Sequence, residues 1–207
     1  MTVVNPSAEW SDKFGDDYTR RQTLSIEARL KMFQRIWQYW HPSGMVDAPP
    51  SSIIEFGANV GDNLRAIRKL TTAHLTGVEI NPGAFQTLKK VADVAFNRSI
   101  LDFESDGQWD LSMTRGLLIH ITPADLQKAY ATLYHTAKRY ILIAEYFSPK
   151  PREIEYHGRM EMLWARDFAG ELLDAYPDLR LVDYQFVYDR DPDAPQDNVT
   201  WFLMEKQ

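Results

Sequence analysis

Two glycines and a distant carboxylate carry the clearest chemical signal in this chain. Gly57 and Gly61 stand in the run Glu55-Phe56-Gly57-Ala58-Asn59-Val60-Gly61, and Glu79 follows a little over twenty residues later. Glycine lets the backbone approach a ligand with no Cβ in the way. A carboxylate at the end of the following strand can accept hydrogen bonds from two ribose hydroxyls, which makes the pattern that of a nucleoside-binding βαβ unit. The flanks agree: Ser52-Ile53-Ile54-Glu55-Phe56 reads as a buried strand, and the run from Asn63 to Leu70 reads as a helix. The plainer alternatives are ordinary turn glycines and a solvated strand end at Glu79.

The missing glycines narrow the choice of nucleoside. A dinucleotide fingerprint needs glycine at three places, the second so that the main chain can touch a pyrophosphate. Counted from Gly57, the second and third places hold Asn59 and Asp62. Asp62 falls where the helix begins, and a carboxylate there repels a pyrophosphate while capping the helix itself. A sulfonium and an ammonium group meet no such penalty. S-adenosyl-L-methionine, with S-adenosyl-L-homocysteine as product, is therefore expected in preference to NAD. A nicotinamide-dependent oxidoreductase and a non-catalytic adenosylmethionine-binding protein are the alternatives from other classes.

These residues need a scaffold, and the hydrophobic periodicity supplies one. Ile26, Leu30, Phe33, Trp37 and Trp40 recur at helical spacing and predict an amphipathic helix over 24–40. His41-Pro42-Ser43-Gly44 and Pro49-Pro50 then break the chain. Predicted strands at 75–80, 94–99, 109–114 and 140–147 alternate with helices at 82–91 and 123–137, implying a mostly parallel sheet covered on both faces. A helix over 166–175 precedes strands at 179–188 and 198–205, which lack a helix between them and should form an antiparallel hairpin at the sheet edge. The expected fold is α/β and Rossmann-like, with seven strands. Residues 1–45 should form a helical cap over the active site and residues 46–207 the main domain, together a single compact unit.

Composition excludes several function classes. A chain of 207 residues with 44% hydrophobic and 25% charged residues can build one full core. A net charge of −6 argues against non-specific nucleic-acid binding, which needs a basic face. The sequence has no cysteine, so disulfides, thiolate zinc sites and thiol nucleophiles are out, and no metal site is expected. No apolar run reaches membrane-span length and Met1 to Pro6 lacks a signal-peptide pattern, so no membrane partner and a cytoplasmic location are expected. A homodimer is compatible with all of this.

Several segments together resemble one family, the pseudaminic acid biosynthesis-associated methylases within the class I S-adenosylmethionine-dependent methyltransferases. The likeness runs from Glu9-Trp10 and Phe14-Gly15-Asp16-Asp17-Tyr18 with Arg21, through the glycine turn and Gly77-Val78-Glu79-Ile80-Asn81. It continues through Ser99-Ile100-Leu101-Asp102, Trp109-Asp110-Leu111 and Gly116-Leu117-Leu118-Ile119-His120-Ile121. It ends with Arg166-Asp167-Phe168 and Thr200-Trp201-Phe202-Leu203-Met204-Glu205. The resemblance implies methyl transfer to oxygen or nitrogen of a small, polar, anionic metabolite related to nonulosonic acids or sugars. Another natural-product or amino-acid-derived acceptor is the alternative.

The resemblance also distributes roles. Glu55 would orient the glycine loop or meet the cofactor's ammonium, while Gly57, Ala58, Asn59, Gly61, Glu79 and Ile80 would form the nucleoside cradle. Ser99, Ile100 and Leu101 would hold the adenine, and Thr114, Arg115 and Gly116 would flank the methionine part. Tyr18 and Arg21 would close over the cofactor, Arg21 pairing with a carboxylate and Tyr18 lining the methyl channel. His120 is either a satisfied core histidine or a group beside the reacting methyl, where a near-neutral pKa would let it take a proton. Glu145, Tyr146, Tyr156, His157 and Arg159 mark the expected acceptor site, with His120, Tyr146 and His157 as the catalytic candidates. A solvated loop with incidental aromatics is the alternative there. Trp164, Trp201 and Phe202 read as core.

Overall fold

A computed structural model of the protein describes residues 6–21, 24–40 and 48–207. Three helices come first: α1 (Pro6–Trp10), α2 (Lys13–Arg21) and α3 (Ile26–Trp37). Then come β1 (Ser52–Phe56), α4 (Asp62–Arg68), β2 (His74–Val78), α5 (Pro82–Leu88), β3 (Val94–Phe96) and β4 (Trp109–Arg115). The chain continues with α6 (Leu126–Thr136), β5 (Ala137–Glu145), β6 (Arg152–Glu153), β7 (Trp164–Ala165) and α7 (Phe168–Ala175). It closes with β8 (Leu179–Phe186) and β9 (Thr200–Lys206).

Seven strands form one sheet in the order β3-β2-β1-β4-β5-β9-β8. The first five are parallel, and β9 runs antiparallel to both β5 and β8, so the C-terminal hairpin closes the edge as expected. Neighbouring residues of one strand feed opposite cores because side chains alternate across a sheet. Ile53 packs with Leu75, Met113 and Leu142 against α3 and α4, while Ile54 packs with Val78, Ile141 and Met204 against α6 and α7. Both faces of β1 are thus buried, which is why its sequence is apolar at successive positions rather than at alternate ones.

The strand order reverses between β1 and β4. In such sheets ligands bind in the crevice outside the carboxyl ends of the strands, at that switch point. Local caps fix the loops that reach it. Ser25 caps α3 through Ala28 N, and Asn81 caps α5 through Ala84 N with Pro82 at the first turn.

Three boundaries and one strand pair differ from expectation. β2 ends at Val78 and leaves Glu79 at its exit, where Glu79 N donates to Phe96 O at 3.0 Å. β3 ends at Phe96, because Ser99 turns to accept the amide of Leu101 and starts a short 3-10 turn over Ile100–Asp102. α6 starts at Leu126, since Thr122 and Asp125 bond to one another and hold the preceding residues in a turn. The antiparallel pair of β6 and β7 was not expected; it joins exposed Arg152–Glu153 to buried Trp164–Ala165, two residues each and too short to show an alternating pattern.

Candidate active site

The glycine turn is held in left-handed backbone at three places, Gly57 (φ 69), Asn59 (φ 48) and Gly61 (φ 86). A Cβ on Gly57 would lie 2.9 Å from the Leu117 side chain, so that position demands glycine on two counts. Asparagine is the residue other than glycine best suited to this region, which explains how Asn59 is tolerated. Asn59 N donates to one carboxylate oxygen of Glu79 at 2.7 Å, and Asn81 N donates to the other at 2.7 Å. The carboxylate therefore pins the turn to the exit of β2. Burial raises the Glu79 pKa, and the amides of Asn81, Asn59 and Ile80 pull it back down.

Beneath the turn, Glu55 is fully buried. Its Oε1 accepts a hydrogen bond from Asn63 Nδ2 at 2.6 Å, while Oε2 has no hydrogen-bond partner among the described residues. Desolvation pushes its pKa up to about 7, against the opposing pull of Asn63, Arg29 and Arg115. Arg29 donates from α3 to Asn63 Oδ1 at 2.6 Å and is 5% exposed. Sequence reading missed Arg29. The signal was present: it stands on the stripe formed by Ile26, Leu30 and Phe33, and a charge on an apolar helix face asks for a buried partner.

Two cavities open above the carboxyl ends of the strands. The first is walled by Gly57, Ala58, Asn59, Glu79 and Ile80, together with Ser99 and Ile100, which brings most of the expected nucleoside residues together. Arg29, Asp62 and Asn63 also line it. Glu55 and Gly61 lie behind the turn, and neither Leu101 nor Thr114 reaches the wall. The second cavity, about 620 Å³, is lined by Tyr146, Tyr156 and His157 together with Asp189, Gln196 and Asp197 of the β8–β9 loop. Arg115, Gly116 and His120 line both, so the two cavities meet at these residues.

The loop that follows β4 builds this junction. Gly116 has φ 64, and a Cβ there would meet nothing within 4 Å, so the backbone faces open space. His120 is 7% exposed and its Nδ1 lies 2.7 Å from Met162 O. Desolvation lowers its pKa to about 4, with the Met162 carbonyl pulling the other way. It is thus a buried, uncharged imidazole and also a cavity wall, combining the two alternatives that the sequence left open.

Glu145 and Arg159 stand apart from the other residues expected at the acceptor site. Glu145 lines neither cavity. Its carboxylate is 2% exposed and accepts from Leu117 N (3.2 Å) and Ile119 N (3.4 Å), so it anchors the loop that carries His120. Burial raises its pKa to about 7, while the Thr114 hydroxyl and the loop amides lower it. Arg159 also lines neither cavity: its guanidinium pairs with Glu9 at 2.6 Å and lies over the Phe14 ring. With Arg159 committed to the N-terminal hairpin, the acceptor cavity has carboxylates at Asp189 and Asp197 and no excess of positive charge to favour an anion.

The α1–α2 hairpin packs across the same region. Trp10 lies against the His120 ring with centroids 4.4 Å apart, and Phe14 meets Tyr156 edge-on. Asn81 Nδ2 bonds Asp16 at 2.9 Å, and Thr19 donates to Asn59 Oδ1 at 2.8 Å. Gly15 sits where a Cβ would come within 2.1 Å of Trp10 O. The side chains of Tyr18 and Arg21 lie outside the described residues, so the roles expected for them stay with the sequence.

No protein-family model matches the sequence, and no curated protein matches it. Solved structures do match the fold. Magnesium protoporphyrin IX methyltransferase from Synechocystis PCC 6803, with bound SAM, superposes with a TM-score of 0.69 over 100% of both chains at 11% identity. The 1,6-didemethyltoxoflavin-N1-methyltransferase of Burkholderia thailandensis, with bound 1,6-didemethyltoxoflavin and S-adenosylhomocysteine, gives 0.69 at 15% identity, covering 100% of this chain and 92% of that one. The sugar N-methyltransferase KedS8 from Streptoalloteichus sp ATCC 53650 gives 0.65 at 13% identity, covering 95% and 94%. The fold is the Rossmann-like class I methyltransferase fold. At these identities the likeness speaks for architecture, and the chemistry of the site has to come from its own residues.

Proposed function

We propose that the protein is an S-adenosylmethionine-dependent methyltransferase acting on oxygen or nitrogen of a small polar metabolite. The observation that carries this reading is the meeting of two cavities at Arg115, Gly116 and His120. A group-transfer enzyme needs separate sites for donor and acceptor with one shared wall where the transferred group passes.

The first cavity suits a nucleoside with an amino-acid tail. Glu79 offers carboxylate lone pairs beside the glycine turn, and Asp62 and Asn63 add polar groups to the wall. Bound there, S-adenosylmethionine would supply a methyl group already activated by its sulfonium. The chain's own work is to hold the acceptor and exclude water. Tyr146, Tyr156, His157 and His120 form the acceptor wall, and α1–α2 acts as a cap that shields the junction through Trp10 and Phe14. A neutral His120 can accept a hydrogen bond from an acceptor hydroxyl or amine, orienting its lone pair. Carboxylates at Asp189 and Asp197 favour an acceptor bearing hydroxyl or amino groups. A sugar fits that description, in keeping with the family resembled in sequence.

Thermal-shift and calorimetric titration with S-adenosylmethionine, S-adenosylhomocysteine and NAD test the reading. Binding of both sulfur nucleosides, and no response to NAD, is the expected outcome. Uptake of NAD alone would overturn it.

A further inference from the structure

The loop between β8 and β9 carries four aspartates, and three of them meet a cation. Asp191 pairs with Arg35 at 3.0 Å, Asp193 with Lys31 at 3.7 Å, and Asp197 lies 3.8 Å from Arg115. The carboxylate of Asp189 has no partner among the described residues, and it lines the second cavity. Its position is nonetheless set: Asp189 N donates to Asn198 Oδ1 at 3.1 Å, and buried Gln196 ties the loop to Ala28 O and to Arg115, each at 3.0 Å. The rest of the wall leaves that charge unbalanced. Arg115 and Asp197 offset one another, Arg190 lines neither cavity, and His120 is buried and uncharged. His157 is the remaining titratable group, and Tyr146, Tyr156, Ile119, Leu163 and Val199 add aromatic and apolar surface. Asp189 belongs to the second cavity and not to the wall shared with the first, so the spare carboxylate sits away from the junction at Arg115, Gly116 and His120.

We propose that the methyl acceptor is a cationic amine, a small ring compound whose ammonium is held by Asp189 while a second group, a hydroxyl or an uncharged nitrogen, faces His120. This rests on the methyl-transfer reading above and departs from the anionic acceptor implied by the family resemblance. An ammonium has no lone pair, so it serves as a handle and is not itself methylated. The reacting group supplies the lone pair that forms the new bond to carbon as the carbon–sulfur bond breaks, and its proton passes to water. A handle beyond the shared wall also keeps ammonium and sulfonium, two like charges, apart. The aromatic and apolar wall covers the ring between handle and reacting group. An anionic acceptor would instead set its charge against Asp189, with Arg115 already engaged by Gln196 and Asp197.

Matched compounds test this on the full chain, first free and then saturated with S-adenosylhomocysteine. A panel of small rings, each present as an amine, its N-acetyl amide and a carboxylate, is screened by ligand-observed NMR, and calorimetry measures the hits. Amines should bind at least about fivefold tighter than their amides, with the carboxylates weakest. D189N should remove that margin and leave the amides unchanged, while D189E should recover part of it. D193N, which strips a charge from the same loop outside the cavity, should keep the margin intact and so separate local pairing from net charge. Amides or carboxylates binding as tightly as the amines would overturn the proposal. So would equal losses in D189N and D193N, or no hit at millimolar concentration. Failure of the chain to take up S-adenosylhomocysteine would instead bring down the methyl-transfer reading, and the amine preference is read separately on the free protein.

Discussion

The Nδ1 atom of His120 lies 2.7 Å from the carbonyl oxygen of Met162, forty-two residues along the chain. A carbonyl only accepts, so Nδ1 must carry the hydrogen, and Nε2 is left as the proton-accepting nitrogen. Both cavities border this ring. The contact thus decides which face of the imidazole can serve an acceptor molecule.

His120 should remain neutral through the physiological range. Burial depresses its pKa to about 4 from 6.5, so the folded state binds fewer protons than the unfolded chain between those values. Its contribution to stability is complete above the unfolded value and is lost as pH falls from 6.5 towards about 4. Nitrogen NMR should show an Nδ1–H tautomer unchanged from about pH 8 to about pH 5. The decline in Tm across the acid range should be shallower in His120→Asn than in the wild type. A His120 signal titrating near neutrality would contradict this.

Glu55→Gln should stabilise the protein at neutral pH and above. The folded pKa of Glu55 is raised from 4.5 to about 7, so its contribution to stability falls as pH rises through that interval and stays low above it. Glutamine keeps an acceptor for Asn63 and has no charge to desolvate. The variant's Tm should exceed the wild type's above about pH 7 and converge with it in acid. A Tm difference that does not change with pH would remove Glu55 as its source.

Removing the Glu79 carboxylate should cost both ligand and loop. Glu79→Ala is expected to weaken S-adenosylhomocysteine by about 1.5–3 kcal/mol, the range for a charge-assisted hydrogen bond. Glu79→Gln should be no milder. Each oxygen now accepts a backbone amide, from Asn59 and from Asn81, and a carboxamide NH2 would confront one of those donors. Calorimetry on folded protein checks both, and full affinity in Glu79→Gln would contradict the geometry.

Gly15→Ala should disturb the N-terminal hairpin while sparing the sheet. The new Cβ would fall 2.1 Å from Trp10 O and 2.9 Å from the Asn81 side chain, so α1 must shift from α2. Overpacking of this kind costs about 1–3 kcal/mol. Because Trp10 rests on His120, its fluorescence should move to the red and proteolysis should speed up ahead of Phe14. Unchanged emission and protection would show that the hairpin tolerates the methyl group.

The sheet was legible because its signals are local. β1 was placed from five consecutive residues whose apolar run fits a strand buried on both faces, and β8 and β9 from the absence of a helix between them. The turn at Gly57 was legible too, since a glycine at φ 69 against Leu117 leaves little choice of residue. Arg159 and Glu145 lie outside both cavity walls for a shared reason. Both stand near the acceptor segment in sequence, but one was drawn to Glu9, 150 residues away, and the other to the amides of Leu117 and Ile119. Charge type was readable, and choice of partner was not.

Sequence alone therefore determined the alternation of strands and helices, the closing hairpin and the glycine turn with Glu79 at the next strand exit, because periodicity and backbone sterics act within a few residues. The tertiary structure decided which cations are buried at the cleft, which nitrogen of His120 holds its hydrogen, and where the two cavities meet. Those outcomes depend on which distant polar group becomes available once water is expelled, and only the packed chain brings Arg29 to Asn63, Met162 to His120 and Gln196 to Arg115.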